Sequence, residues 1–168
     1  LAVGFIKLIY YIIFMINNLL SLLTFENIYL IANWGVIPFW LILIIIPNHQ
    51  ITNFFVQSII LPLLLAAGYA YLSYSIYLDG GILEGFELYT GLNGLYSIFA
   101  NESLLLIFWL HFLAISLFAG AWIVRDSRKY FMPKIVTIPS LILTYFTGPI
   151  GLVFYWFIRI FFAKKISF

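Results

Sequence analysis

Cysteine is absent from the chain, which excludes disulfides, thiolate catalysis and sulfur-ligated metals. Charge is almost as scarce. Asp, Glu, Lys and Arg make up 8% of 168 residues, against about a quarter in an average soluble domain. So few charges cannot cover a water-facing surface. Glycine-rich phosphate loops and carboxylate clusters spaced for a metal are missing too, so no metal site is expected. The formal charge of +2 gives no argument for nucleic acid, and no nucleic-acid partner is expected. Paired repeats and a relay of charges within the apolar segments, the usual marks of a transporter, are also lacking.

What remains is apolar: 65% hydrophobic and 21% aromatic. This composition predicts an all-α integral membrane bundle in one domain, in contact with membrane lipids. Five apolar segments follow one another, giving about five transmembrane helices. The first, Val3–Leu23, carries Lys7 ahead of its apolar run and resembles an uncleaved signal anchor as much as an ordinary span. The chain opens on Leu1 rather than Met, as expected after processing or loss of residues, and residues 1–23 are read as a retained helix. Thr24 is placed to cap the second segment, Ile28–Ile46, which Pro38 should kink. The third, Ile51–Tyr77, exceeds a hydrocarbon core of about 30 Å and ends in Tyr69, Tyr71, Tyr74 and Tyr77, spaced like an interfacial belt. Asp79–Glu102 is the one long loop. Its five glycines, mixed with Phe86, Leu92, Tyr96 and Phe99, suit a loop on the membrane surface with a short amphipathic turn. The fourth segment, Leu104–Val124, is the organising one. The fifth, Ile135–Phe162, is interrupted by Pro139 and by Gly148-Pro149-Ile150-Gly151.

Alternating five spans puts Lys7, Arg125, Arg128, Lys129 and Lys134 on one side with Asp126. The other side then holds Glu26, Asp79, Glu84, Glu87 and Glu102 with Arg159, Lys164 and Lys165. The bias of cations towards the cytoplasm or stroma places the N-terminus and the Arg125–Lys134 loop there.

Few side chains inside the segments can do chemistry. His111 leads, since hydrocarbon offers an imidazole no partner. It could ligate a chlorophyll or haem, act as acid and base near neutral pH, or bond to Ser116, a tyrosine or a backbone carbonyl. His49 lies in a turn, so a two-histidine haem site is hard to build. Glu102 precedes the fourth segment, where a carboxylate favours the positive end of a helix; folded inward it would serve as an acid. Arg125, Asp126 and Arg128 suit a topology anchor, or contact with an anionic lipid or a polar ligand end. Asn33 lies on the kinked segment, and Trp109 precedes the histidine. Thr137, Ser140, Thr144 and Thr147 share one helical face, the pattern of contact between membrane helices.

From Phe25 to Arg159 the chain resembles the ABA-deficient-four-like family of small multi-pass membrane proteins required for neoxanthin formation. The resemblance rests on Ile37-Pro38-Phe39-Trp40 through Pro47-Asn48, Gly68-Tyr69-Ala70-Tyr71-Leu72, Glu102 and Trp109-Leu110-His111. It continues through Leu117-Phe118-Ala119-Gly120, Arg125-Asp126, Ile138-Pro139-Ser140-Leu141 and Gly148-Pro149-Ile150-Gly151-Leu152. It implies a four-helix core spanning 24–168, with residues 1–23 an extra N-terminal helix outside it. Where the family often has an aspartate shortly after the histidine, this chain has Ser116.

The resemblance implies conversion of an epoxy-xanthophyll into an allenic one, in a thylakoid or other plastid membrane or a bacterial inner membrane. Opening an epoxide needs an acid for the ring oxygen and a base for a polyene proton, and no cofactor. The expected acid–base residues are His111, Glu102 and Asp126, with His111, Trp109, Ser116, Asn33 and Arg125 contacting the ligand. The expected partner is a carotenoid. The alternative is a small pigment- or lipid-contacting subunit of a larger, photosynthetic membrane complex, with His111 holding a chlorophyll or another helix.

Overall fold

A computed structural model describes residues 2–55, 60–78, 86 and 89–163. Among them lie nine helices and no strand: α1 (Ala2–Ser21), α2 (Phe25–Gly35), α3 (Ile37–Ile45), α4 (Gln50–Phe55), α5 (Ile60–Leu78), α6 (Leu92–Ala100), α7 (Glu102–Lys129), α8 (Lys134–Thr147) and α9 (Pro149–Ala163). The all-α expectation holds. Phe25–Ile45 and Glu102–Lys129 are long and apolar enough to cross a membrane. The other apolar helices, Gly4–Asn18, Leu63–Leu78, Lys134–Thr147 and Pro149–Ala163, are shorter.

The helix ends follow local chemistry. The Thr24 hydroxyl accepts the Asn27 N–H at 3.2 Å and caps α2, as expected. The kink expected at Pro38 falls at Val36, where α2 stops and α3 restarts with the proline in its first turn. At the start of α7 it is Asn101 that caps, accepting from Ser103 and Leu104; Glu102 occupies the first turn. The expected amphipathic turn in the long loop is α6, half-buried at Gly94 and Leu95, buried at Ile98 and otherwise exposed. Asp79, Glu84 and Glu87 lie outside the described residues.

Helix α7 is the hub, packing against α2, α3, α5, α6, α8 and α9. Its small residues permit this. Gly120 lies under the Trp40 ring, so close that a Cβ there would stand 2.7 Å from the indole edge, and Leu110 reaches Gly68 of α5. Helices α2 and α3 run beside α7 in the same direction: Glu26 neighbours Glu102 at one end, and Lys134 donates to the Ile45 carbonyl at the other. Helix α5 runs against α7, with Tyr69 beside His111.

The fifth segment departs from the expected single, interrupted helix. Residues 134–163 form a hairpin. Gly148 takes φ +59° and Pro149 opens the next helix, whereas Pro139 remains inside α8 without ending it. The two arms touch so closely after the turn that a Cβ on Gly151 would overlap the Thr144 backbone nitrogen and Oγ1. Of the four residues expected to share a contact face, Thr137, Ser140 and Thr144 are buried and Thr147 is half-buried; the threonine hydroxyls donate to carbonyls of their own helix or its start rather than to another helix.

The hairpin corrects the charge map. Helix α8 runs back from the end of α7 to bring Gly148 level with Ser116, and α9 returns to the end it left. Arg159 therefore shares the basic end with Arg125, Arg128, Lys129 and Lys134 rather than facing them across the molecule. Lys164 and Lys165 lie outside the described residues. Glu26 and Glu102 occupy the opposite end.

Candidate functional site

Three polar places lie along α7, one for each candidate acid–base residue. The structure does not bring those residues together.

The first is a groove of about 300 Å³ between α7 and the hairpin turn, lined by His111, Ser116, Phe108, Phe112, Gly148 and Pro149 among others. His111 and Ser116 are the polar side chains in that lining. His111 is exposed, with its ring centroid 6.4 Å from Tyr69. Ser116 is buried at the groove's base, where a Cβ on Gly148 would come within 3.5 Å of both Phe112 and the Ser116 Oγ. Glycine at 148 thus serves the backbone turn, and a methyl there would sit in ordinary contact with the floor. The rest of the wall is apolar and aromatic, suited to a hydrocarbon ring with one oxygen to place.

The second is a pocket of about 270 Å³ near the start of α7, lined by Glu26, Tyr29, Glu102, Leu105, Leu106, Trp109 and Phe25. Both carboxylates are exposed. Trp109 links this pocket to the groove, packing against Tyr29 at 6.3 Å and stacking on Phe112 at 5.5 Å. Glu102 therefore neighbours Trp109 and Glu26, not His111.

The third is a buried cluster near the other end of α7. Asp126 Oδ2 lies 2.6 Å from Arg159 Nε and accepts the Tyr155 hydroxyl at 2.9 Å. Arg159 also donates to the Tyr130 hydroxyl at 2.7 Å, its guanidinium 4.6 Å from that ring's centroid. Trp122 meets Tyr155 edge-on at 5.7 Å. Asp126 and Tyr155 are both buried. The carboxylate is thereby committed to fastening α9 on α7. Of the remaining ligand-contacting candidates, Asn33 is half-buried on α2 and Arg125 is exposed on α7.

Sequence reasoning missed Arg159, Tyr155 and Tyr130. The signal was present: Arg159 is a lone charge inside the apolar run Val153–Phe162, and such a charge must have a partner. It also missed Glu26 and Tyr29 as neighbours of Glu102, since that proximity depends on how α2 lies along α7.

The family described as ABA DEFICIENT 4-like matches residues 27–155. The chloroplastic protein ABA DEFICIENT 4 of Arabidopsis thaliana is 24% identical over 131 residues, which cover 76% of this chain and 58% of that relative. The chain thus spans less than two thirds of that relative's length. No solved structure matches the chain.

Proposed function

Because the chain belongs to the ABA DEFICIENT 4-like family, we propose that it is a membrane-embedded carotenoid protein that handles an epoxy-xanthophyll, with His111 contacting the oxygenated end ring in the α7–hairpin groove. Helices α2–α3 and α7 cross the bilayer, and the basic end of α7 faces the cytoplasmic or stromal side. A plastid membrane suits the chloroplastic relative.

The observation that carries the reading is the exposed imidazole in an apolar wall. Nine residues past Glu102, His111 lies roughly 14 Å along the helix, well within a hydrocarbon core of about 30 Å. An imidazole facing lipid tails is costly without a hydrogen-bonding partner. A ring oxygen in the groove supplies one, while the polyene lies along the aromatic surface outside.

The chemistry is a balanced isomerisation. A protonated His111 gives its proton to the epoxide oxygen as the ring C–O bond breaks. The neutral imidazole then takes a proton from the adjacent polyene carbon, and the electron pair of that C–H bond forms a new double bond to the ring carbon that lost the oxygen, cumulated with the existing one as the allene. The histidine ends as it began, so one residue serves as both acid and base. Glu102 and Asp126 are not needed for it.

The test is production of the allenic xanthophyll in cells that accumulate the epoxy form and carry this protein or its variants. His111→Ala should lower product by about 100-fold or more, while Glu26→Gln should leave it unchanged. Undiminished product and bound pigment in His111→Ala would reject the site. If that variant instead co-purified unchanged with larger subunits, the reading would move to a structural subunit of a membrane complex.

A further inference from the structure

The basic end of the molecule holds a recess of different character. The corner between α7 and α8 and the turn Pro47–Asn48 enclose about 310 Å³. Arg128 and Lys134 line it, above the apolar side chains of Val124, Met132 and Leu141, and among the described residues no carboxylate is part of the lining. Asp126, two residues before Arg128, is taken up by Arg159.

The guanidinium of Arg128 is held in place. Its terminal nitrogens donate to Asn53 Oδ1 at 3.2 and 3.3 Å and to the Pro47 carbonyl, while its buried Nε has no hydrogen-bond partner among the described residues. Lys134 Nζ lies 3.4 Å from the Ile45 carbonyl oxygen. Arg128 is thus fixed and Lys134 stands at the same opening, with no acid among the described residues to neutralise them there.

Phe131, also in the lining, supplies an independent observation. Its N–H meets the Arg128 carbonyl at 3.2 Å, and the Met132 N–H meets the Ser127 carbonyl at 3.0 Å. That pair of bonds closes a helix through a left-handed residue, a place normally taken by glycine. Phe131 occupies it with φ +50° and is the described non-glycine residue with positive φ. Its side chain is 86% exposed, so internal packing does not offset the strain. The strained ring thus stands outward in the same recess as Arg128 and Lys134.

We propose that this recess binds the anionic headgroup of a membrane lipid, its phosphate or sulfonate on Arg128 and Lys134 and its acyl chains against Phe131. A free oxyanion would satisfy the cations but would leave Phe131 without a role, which favours the lipid. The inference rests on membrane embedding and is independent of the pigment reading at His111.

The full chain, purified in an uncharged detergent, is titrated with phosphatidylglycerol, phosphatidylcholine or inorganic phosphate. Retained lipid is followed by native mass spectrometry, and the thermal midpoint is measured alongside. Phosphatidylglycerol should be retained in preference and should raise the midpoint. Lys134→Gln should weaken its apparent affinity about fivefold, the worth of one cation near a charged lipid surface, while Lys129→Gln, on the exposed face outside the recess, should change it far less. Phe131→Gly should raise the midpoint of the lipid-free protein by relieving the backbone, yet weaken lipid retention. Equal retention of the two lipids, or equal losses in the Lys129 and Lys134 variants, would overturn the recess as a specific site. Protection by inorganic phosphate as strong as by the lipid would overturn the lipid assignment. A protein that stays dispersed without detergent would defeat the membrane premise, whereas failed pigment chemistry at His111 would leave this inference standing.

Discussion

Helices α1 and α7 are both strongly apolar, yet their surroundings are opposite. Every described side chain of α1 from Gly4 to Asn18 is exposed, including Phe5, Tyr10, Tyr11, Phe14 and Met15. Half of the apolar stretch in α7 is buried, and six other helices pack on it. Apolarity does not separate the two, because in the proposed bilayer setting lipid serves an isoleucine as well as a neighbouring helix does. Small and polar residues separate them. Helix α7 has Ala114, Ser116, Ala119, Gly120 and Ala121 along its middle and Asp126 near its end, where α1 presents bulky side chains between Gly4 and Asn17. Contact between membrane helices comes from close approach and satisfied polar groups, and α7 has both.

The contrast can be broken most forcefully at the buried ion pair. Asp126→Ala leaves Arg159 uncompensated beside α7 and should destabilise the protein by roughly 3 kcal/mol, read as a fall in thermal midpoint in detergent. Replacing both partners with leucine should recover much of that loss, since an apolar pair carries no desolvation cost. Next comes Gly151→Ala, whose new methyl overlaps Thr144. It should cost about 2 kcal/mol by forcing the hairpin arms apart, and a double variant with Thr144→Gly should not recover, because the backbone nitrogen is also in the way. Gly120→Ala drives a methyl into the Trp40 ring. The expected cost is about 1–2 kcal/mol, reduced when Trp40 is shortened to leucine. The smallest effect belongs to α1: removing residues 2–21 should shift stability by less than about 0.5 kcal/mol. A large loss on that deletion would show that α1 is a packed helix after all and would undo the comparison.

The sequence made some of this legible and hid the rest for identifiable reasons. The α2 cap at Thr24, the interruption near Pro38 and the central role of α7 depend on local chemistry and composition, which a chain displays directly. The hairpin could have been read from Gly148-Pro149, since glycine before a helix-opening proline is the signature of a turn. A long apolar segment invited one span instead, and that assumption sent Arg159 to the wrong end. The Asp126–Arg159–Tyr155 cluster then stayed hidden, because it joins residues 29 and 33 positions apart through a reversal of direction that had not been counted. At His111 the residue was visible but its surroundings were not: the groove owes its floor to Gly148, on a different helix pair, and Glu102, near in sequence, faces another pocket.

The turn at Gly148 stops level with Ser116, about half the height of α7. The hairpin is therefore a half-height buttress, and its top forms a ledge on the side of the molecule. The level at which a ring could rest is set by how far α8 runs before it reverses, not by the residue that would touch the ring. One more helical turn in each arm would move that ledge by about 5 Å along α7, most of the roughly 7.5 Å that separates Ser116 from His111, with His111 itself unaltered.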